Sequence, residues 1–368
     1  VRPDLAGLMG AYGAAITAAA RSHPGDRSAV LSVGELADFS VSTALDVCRL
    51  CQNHCQLTVS TFGDGTAHVS GNRCERGAGG GKPVAVSPLP NLYAYKHRRI
   101  FGYRRLPQAQ AHRGDIGIPR VLNMYENYPF WFTVLSQLGF RVILSQRTNR
   151  DTLARGAESI PSENVCYPAK LTHGHIEDLL ARGVKTIFYP CVPFEQDWNA
   201  NADNHFNCPV VAYYPQVLGA NVPGLREPDV RYLSPFLNLD APDLLPRRLV
   251  ETFADFDVSL EEAKLAVAAG YAEDAQVKAD VRAEGQRALA WLAEHGARAI
   301  VLAGRPYHVD PEVNHGIPEL ITGLGMGVLT EDSIIDGPAL TRPLRVRDQW
   351  AYHTRLYEAA GVSAADPG

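Results

Sequence analysis

The stretch GIPRVLNMYENYPFWFTVLSQLGFRVIL, residues 117–144, decides the fold. Its first part, Gly117–Met124, reads as a strand. Tyr128–Leu138 then carries apolar and aromatic residues at helical spacing, and Arg141–Leu144 is a short apolar run that reads as the next strand. Strand, amphipathic helix and strand in succession are the repeat of a parallel sheet covered by helices. The alternation continues downstream. Lys170–Arg182 is helical, with Leu171, Ile176, Leu179 and Leu180 on one side; Lys185–Tyr189 is a buried strand ending at Pro190, and Val210–Tyr213 is another strand candidate. Pro246–His295 is a long helical region rich in Ala, Glu and Leu, followed by a strand at Ala297–Ala303, a helix at Gly316–Thr322 and a strand at Gly327–Thr330. The reading is α/β: two doubly wound parallel-sheet lobes, residues 116–245 and 246–360, the second entered through the helical region.

Upstream the texture differs. Leu5, Leu8, Met9, Tyr12 and Ile16 recur at helical spacing over Leu5–Arg21, but a lone helix has no core of its own. Residues 1–34 are therefore read as a terminal helix of an upstream domain plus linker, and Ser22–Asp46 as linker. Residues 44–78 form a small cysteine-rich unit. Within it, Gln56–Phe62 and Ala67–Ser70 are β-rich runs separated by Gly63-Asp64-Gly65, a hairpin turn signal. Residues 79–115 read as a second linker, glycine-rich at its start and polar over Tyr95–Asp115.

At 368 residues and a net charge of −5, the chain shows no cationic excess. The short basic run Lys96-His97-Arg98-Arg99 reads as solvated linker, and nucleic acid is not an expected partner. No apolar run is long enough to span a membrane. The seven cysteines, in a chain without an evident export signal, are expected to be reduced thiolate ligands in a cytoplasmic compartment.

Two cysteine sets stand out. Cys48, Cys51, Cys55 and Cys74 have the spacing C-x2-C-x3-C, a hairpin, then the fourth thiol. Four thiolates satisfy a tetrahedral structural zinc, and they equally hold a 4Fe–4S cluster. Zinc is favoured as the staple of a unit too small to bury a core of its own. The second set, Cys166, Cys191 and Cys208, is spread over the first lobe. Cys166 precedes a helix and Cys191 follows a strand, so the set gathers toward the carboxyl edge of the sheet, where open α/β folds bind ligands. Three thiolates suit a cubane cluster with one iron left open. Buried, inert thiols are the alternative.

The strings Gly117–Trp131, Glu158–Lys170, His173-Gly174-His175, Ala303–His308 and Asn314–Glu319 resemble the acyl-CoA dehydratase activase-related proteins, also described as CoA-substrate-specific enzyme activases. The α/β part is similar to the cluster-bearing subunits of 2-hydroxyacyl-CoA dehydratases. By that resemblance Cys166, Cys191 and Cys208 are expected to hold an iron–sulfur cluster of 4Fe–4S type. It further implies an actin-like ATPase activase domain as partner, upstream in the same polypeptide or separate, and Arg2–Ala15 looks like the last helix of such a domain. The phosphate-binding residues of an ATPase are absent, so no ATP hydrolysis is expected from this chain alone. An acyl-CoA ester and a second copy of the chain are candidate partners. Glu163 and Lys170 flank Cys166 and are candidate tuning or proton-shuttling groups, with a surface salt bridge as the plainer role. Arg305, His308 and His315 cluster after a strand and are candidates for an anionic ligand or for the cluster's surroundings. The expected function is an iron–sulfur electron-transfer module in reductive acyl-CoA chemistry. The alternatives are a zinc-bearing scaffold that docks an activase onto a dehydratase, and a CoA-ester-binding protein.

Overall fold

The computed structural model describes residues 6–23, 32–48, 55–71, 87–197, 202–335 and 350–365. The chain forms two compact units, one of residues 1–46 and 57–71, the other of residues 47–56 and 72–368.

In the smaller unit, helix α1 (Met9–Arg21) keeps every residue exposed, including its apolar stripe of Tyr12 and Ile16. Ser22–Asp46, read as linker, instead holds a short helix, α2 (Val33–Ala37), and most of strand β1 (Val41–Val47). Ser32 nucleates α2 through a reciprocal capping box with Glu35, a signal present in the sequence but passed over. The hairpin forms at its expected boundaries. β2 (Gln56–Phe62) pairs antiparallel with β3 (Ala67–Ser70), in the register Thr58↔Ser70 to Thr61↔Ala67. Gly65 takes φ +81° in the turn, a region that favours glycine, and the Asp64 carboxylate accepts hydrogen bonds from both the amide and the hydroxyl of Thr66.

The larger unit is built on a four-stranded parallel sheet of β4 (Asp115–Ile118), β5 (Arg141–Leu144), β6 (Thr186–Phe188) and β7 (Arg231–Leu233), in the order β5-β4-β6-β7. The chain starts at β4, winds outward to β5, then crosses back to β6 and on to β7. It therefore reverses direction between β4 and β6, and the crevice outside their carboxyl ends is the ligand position of such sheets. Helix α4 (Met124–Gln137) joins β4 to β5, and its aromatics Tyr125, Tyr128, Phe130, Trp131 and Phe132 are buried, as core rather than as a recognition stripe. Helix α5 (Arg150–Gly156) and helix α6 (Tyr167–Ala181) connect β5 to β6. A Cβ on Gly174 of α6 would lie 1.7 Å from the Thr152 carbonyl oxygen, so only glycine lets these two helices cross at this separation.

Three expectations require correction here. Val210–Tyr213 is not a strand but the first turn of helix α7 (Pro209–Asn221). Its β-branched residues fit a strand locally, yet Pro209 at the first helical position sets the helix in motion. The run 79–115 is not all linker, because helix α3 (Leu92–Phe101) lies within it, N-capped by the Asn91 side chain. Its buried residues, Leu92, Tyr93, Lys96, His97 and Ile100, fall on one face, so the basic run is half interior.

The second lobe is not an independent doubly wound sheet. After helix α8 (Leu245–Thr252), a 35-residue helix α9 (Leu260–Glu294) leads to two parallel strands, β8 (Ala299–Leu302) and β9 (Gly327–Thr330). Helix α10 (Ile317–Gly323) joins them, and α11 (Glu331–Ile334) and α12 (Ala351–Ala365) follow. These elements belong to the same compact unit as the four-stranded sheet. The Val328 amide of β9 donates to the Pro90 carbonyl at 2.8 Å beside α3, and α9 packs along α4. No helix is long and apolar enough to cross a membrane among the described residues.

Candidate functional site

The loops leaving β4 and β5 are joined by a chain of hydrogen bonds. The Arg120 amide donates to Ser145 Oγ at 2.8 Å, and Ser145 Oγ lies 2.8 Å from His175 Nδ1. His175 Nε2 is 3.1 Å from Thr148 Oγ1, and the hydroxyls of Thr148 and Tyr125 both donate to Asp310. Since Thr148 gives its proton to Asp310, it accepts from His175, which fixes the Nε2–H tautomer and leaves Nδ1 to accept from Ser145. Burial, reinforced by Arg120 and Arg155, pushes the His175 pKa down to about 3, so the ring is neutral. Asp310 comes from the segment after β8. That segment thus plugs into the carboxyl edge of the four-stranded sheet, and Leu122 adopts φ 42°, a strained conformation for a branched residue, in the loop beneath.

All three cysteines of the second set lie at this edge. Cys166 is the N-cap of α6 and Cys208 the N-cap of α7; neither helix has a side-chain cap, and each has proline in its first two positions. Each thiol thus stands at a helix N-terminus, near the positive end of the helix dipole. Cys191 follows β6 and is held by its own backbone, its amide donating to Pro235 and its carbonyl accepting from Leu237. Cys166 is exposed, Cys208 half-buried and Cys191 fully buried. Burial pushes the Cys191 thiol up to about 11 despite hydrogen bonding to Gln216.

Burial raises the pKa of Tyr189, Tyr307 and Tyr214, and the cysteines add to it: Cys191 and Cys208 at Tyr189, Cys208 and Cys166 at Tyr307, and Cys166 at Tyr214. The Tyr189 hydroxyl is buried with no hydrogen-bond partner, an orphan donor beside two thiols. Among the described residues, no three His, Cys, Asp or Glu side chains are gathered closely enough to hold a metal ion. The three thiols share this edge of the sheet without a preassembled coordination sphere.

Behind the cysteine loops sits Glu195, 1% exposed. Asn207 donates to its Oε1 at 2.7 Å and to the Val192 carbonyl at 2.9 Å, and Asn127 donates to it at 2.9 Å. Asn207 precedes Cys208 and Val192 follows Cys191, so this brace ties the two cysteine loops together. Burial raises the Glu195 pKa, and the two asparagines only partly offset it.

The other sequence candidates divide. Lys170 pairs with Glu163 at 3.2 Å, but Glu163 is 97% exposed, so this is a solvent-screened surface pair. Of Arg305, His308 and His315, the first two meet. The Arg305 amide donates to His308 Nδ1 at 2.8 Å, and Arg305 also contacts His353. His315 stacks on Tyr167 at 6.5 Å between ring centres, and Tyr167 donates to Glu312, which brings this segment to the N-terminus of α6 beside Cys166. His173, buried, bonds Ser159 and Tyr214 and serves packing. Of the first cysteine set, Cys48 and Cys55 are buried, and the Cys48 amide donates to the Cys55 carbonyl at 2.8 Å. Cys51 and Cys74 lie outside the described residues.

One constellation went unread in the sequence. Lys96 Nζ lies 2.6 Å from Asp332, 3.8 Å from Glu126 and 3.9 Å from Glu331, while Arg355 holds Glu126 at 2.8 Å and Glu331 at 2.9 Å. Five charged side chains from four helices thus meet out of water, and no local pattern announces it.

A family model described as CoA enzyme activase uncharacterised domain matches residues 115–334, more than half of the chain. No curated protein and no solved structure matches it.

Proposed function

The chain belongs to the family described as CoA enzyme activase uncharacterised domain, and on that premise we propose that its carboxyl-edge cysteines, Cys166, Cys191 and Cys208, hold an iron–sulfur cluster. The module would transfer electrons, served by an activase ATPase, in the dehydration of (2-hydroxy)acyl-CoA esters or related reductive chemistry. The observation that carries this reading is the orphaned, buried Tyr189 hydroxyl beside Cys191 and Cys208. A thiolate or cluster sulfur is the acceptor it lacks, and hydrogen bonds to sulfur tune the potential of such groups.

A bound cluster supplies one-electron transfer; the chain supplies the rest. The N-termini of α6 and α7 would present Cys166 and Cys208 to the group. The Glu195–Asn207 brace holds the Cys191 and Cys208 loops in fixed relation. Tyr307 and Asp310 of the plugged segment line a small recess at this edge together with His175. Cys48, Cys51, Cys55 and Cys74 would hold zinc or a second cluster in a structural role.

The test is anaerobic purification and reconstitution, with iron and acid-labile sulfide counted per chain and low-temperature EPR of the reduced protein. Wild type should bind both and give a cluster signal. Cys191→Ala should lose it, whereas Tyr189→Phe should keep the iron and shift the reduction potential. Iron near zero after reconstitution, with zinc at stoichiometric level, would overturn the redox reading in favour of a docking scaffold.

A further inference from the structure

A cleft of about 460 Å³ opens beside the carboxyl end of edge strand β5, lined by Phe101, Tyr103, Arg104, Arg105, Tyr128 and Arg182. Its cations are unevenly matched. Arg182 shares Asp178 at 3.2 Å and donates to the Leu144 carbonyl. Arg104 and Arg105 make no ion pair or hydrogen bond among the described residues. Behind Phe101, outside the cleft lining, the Arg120 guanidinium lies 4.4 Å over the ring. Arg120 also has no carboxylate within ion-pair distance among the described residues. Buried His97 is held neutral by burial and by Arg120, Arg147 and Arg98 in turn.

This is a positive recess in a chain of net charge −5. Arg104 and Arg105 are exposed and have no ion pair to give up, so an incoming anion meets both without first breaking a protein contact. The floor is aromatic: Tyr103 packs 4.7 Å from Phe132 and Phe101 5.2 Å from Tyr128. Arginine forks match phosphate bidentately, and aromatic floors accept planar rings.

We propose that this cleft binds a nucleotide-type ligand, a planar heteroaromatic ring joined to a diphosphate. Arg104 and Arg105 grip the phosphates, and the ring rests against Phe101 and Tyr103. The site uses none of the cysteines and stands apart from the cluster reading.

Isothermal titration of the full chain with ADP, inorganic pyrophosphate and adenosine tests it. ADP should bind saturably, weaken with added salt, and bind more tightly than either fragment. The double variant Arg104→Ala/Arg105→Ala, at two exposed positions, should keep its thermal midpoint and lose roughly tenfold or more in ADP affinity. No ADP binding at millimolar concentration, or equal affinity in the double variant, overturns the site. Pyrophosphate binding as tightly as ADP overturns the ring contact, and adenosine binding as tightly overturns the arginine grip.

Discussion

Replacing Lys96 by methionine tests the buried ionic cluster most directly. Methionine keeps the volume and removes the charge. In the native protein Lys96, 3% exposed, has its pKa raised: burial alone would lower it, but Asp332, Glu331 and Glu126 overcome that. Asp332 is held well below the usual carboxylate range, because Lys96 and Arg355 outweigh the burial that would raise it. Without Lys96, three sequestered carboxylates face Arg355 alone. Removing one partner of a buried ion pair costs about 3–5 kcal/mol, which for a unit of this size corresponds to a fall in Tm of roughly 10 °C. The sign of the pH dependence follows. Asp332, depressed in the wild type, contributes stability above its unfolded pKa that is lost as pH falls below it. In Lys96→Met burial prevails over the lone Arg355, so Glu126 and Asp332 join Glu331 in being raised, and the variant gains stability as pH falls from neutral toward 5. The gap between the two proteins should therefore be widest near pH 7.5 and narrow by pH 5. Urea denaturation followed by tryptophan fluorescence reads it, since Trp131, one of four tryptophans, is fully buried. Adding Asp332→Asn to the variant should recover part of the loss. A cost under about 1 kcal/mol, a cost independent of pH, or a double variant no better than the single would refute the reasoning.

Two further outcomes are expected. His175, with its pKa lowered to about 3, contributes stability above the unfolded histidine pKa that is lost as pH falls through that value. In His175→Gln the decline between pH 6.5 and 4 should be shallower by about 1.4 kcal/mol per pH unit, as equilibrium unfolding at each pH would show; an unchanged slope refutes the assignment. Glu195→Gln should keep the Asn207 hydrogen bond and most of the reconstituted iron, while Glu195→Ala, which cuts the brace, should lose iron with wild-type secondary structure by circular dichroism. Equal iron in the two variants would show that the brace does not position the thiols.

The parallel sheet was legible because buried strands and amphipathic helices alternate with the periods their geometry imposes; β9 matched its expected bounds, and β5 did so as well. What misled was local chemistry read without tertiary context. Val210–Tyr213 looks like a strand because β-branched and aromatic residues suit one, and Pro209 decides otherwise. Lys96-His97-Arg98-Arg99 looks solvated because lysine and histidine are polar, yet at helical spacing two of the four point inward. The carboxyl-edge placement of Cys191 could be inferred from a strand end, and that of Cys166 from the following helix. The Tyr189 hydroxyl and the Glu195 brace could not, since their partners are set by three-dimensional packing and leave no periodic trace.

The span matched by the family model, residues 115–334, is smaller than what the interior requires. Glu126, Glu331 and Asp332 lie within it, but both cations that neutralise them come from outside: Lys96 from α3 and Arg355 from α12. Within the span alone, three buried carboxylates would lack any counter-charge, a cost that would take up much of the ~5–15 kcal/mol stability of a domain. The helices flanking the matched span are thus part of one folding unit with it. They also bear on the site: α3 carries His97 and Phe101 against Arg120, and α12 carries His353 against Arg305. The carboxyl edge of the sheet is completed by segments from both sides of the span, so the candidate site belongs to the whole unit rather than to the sheet.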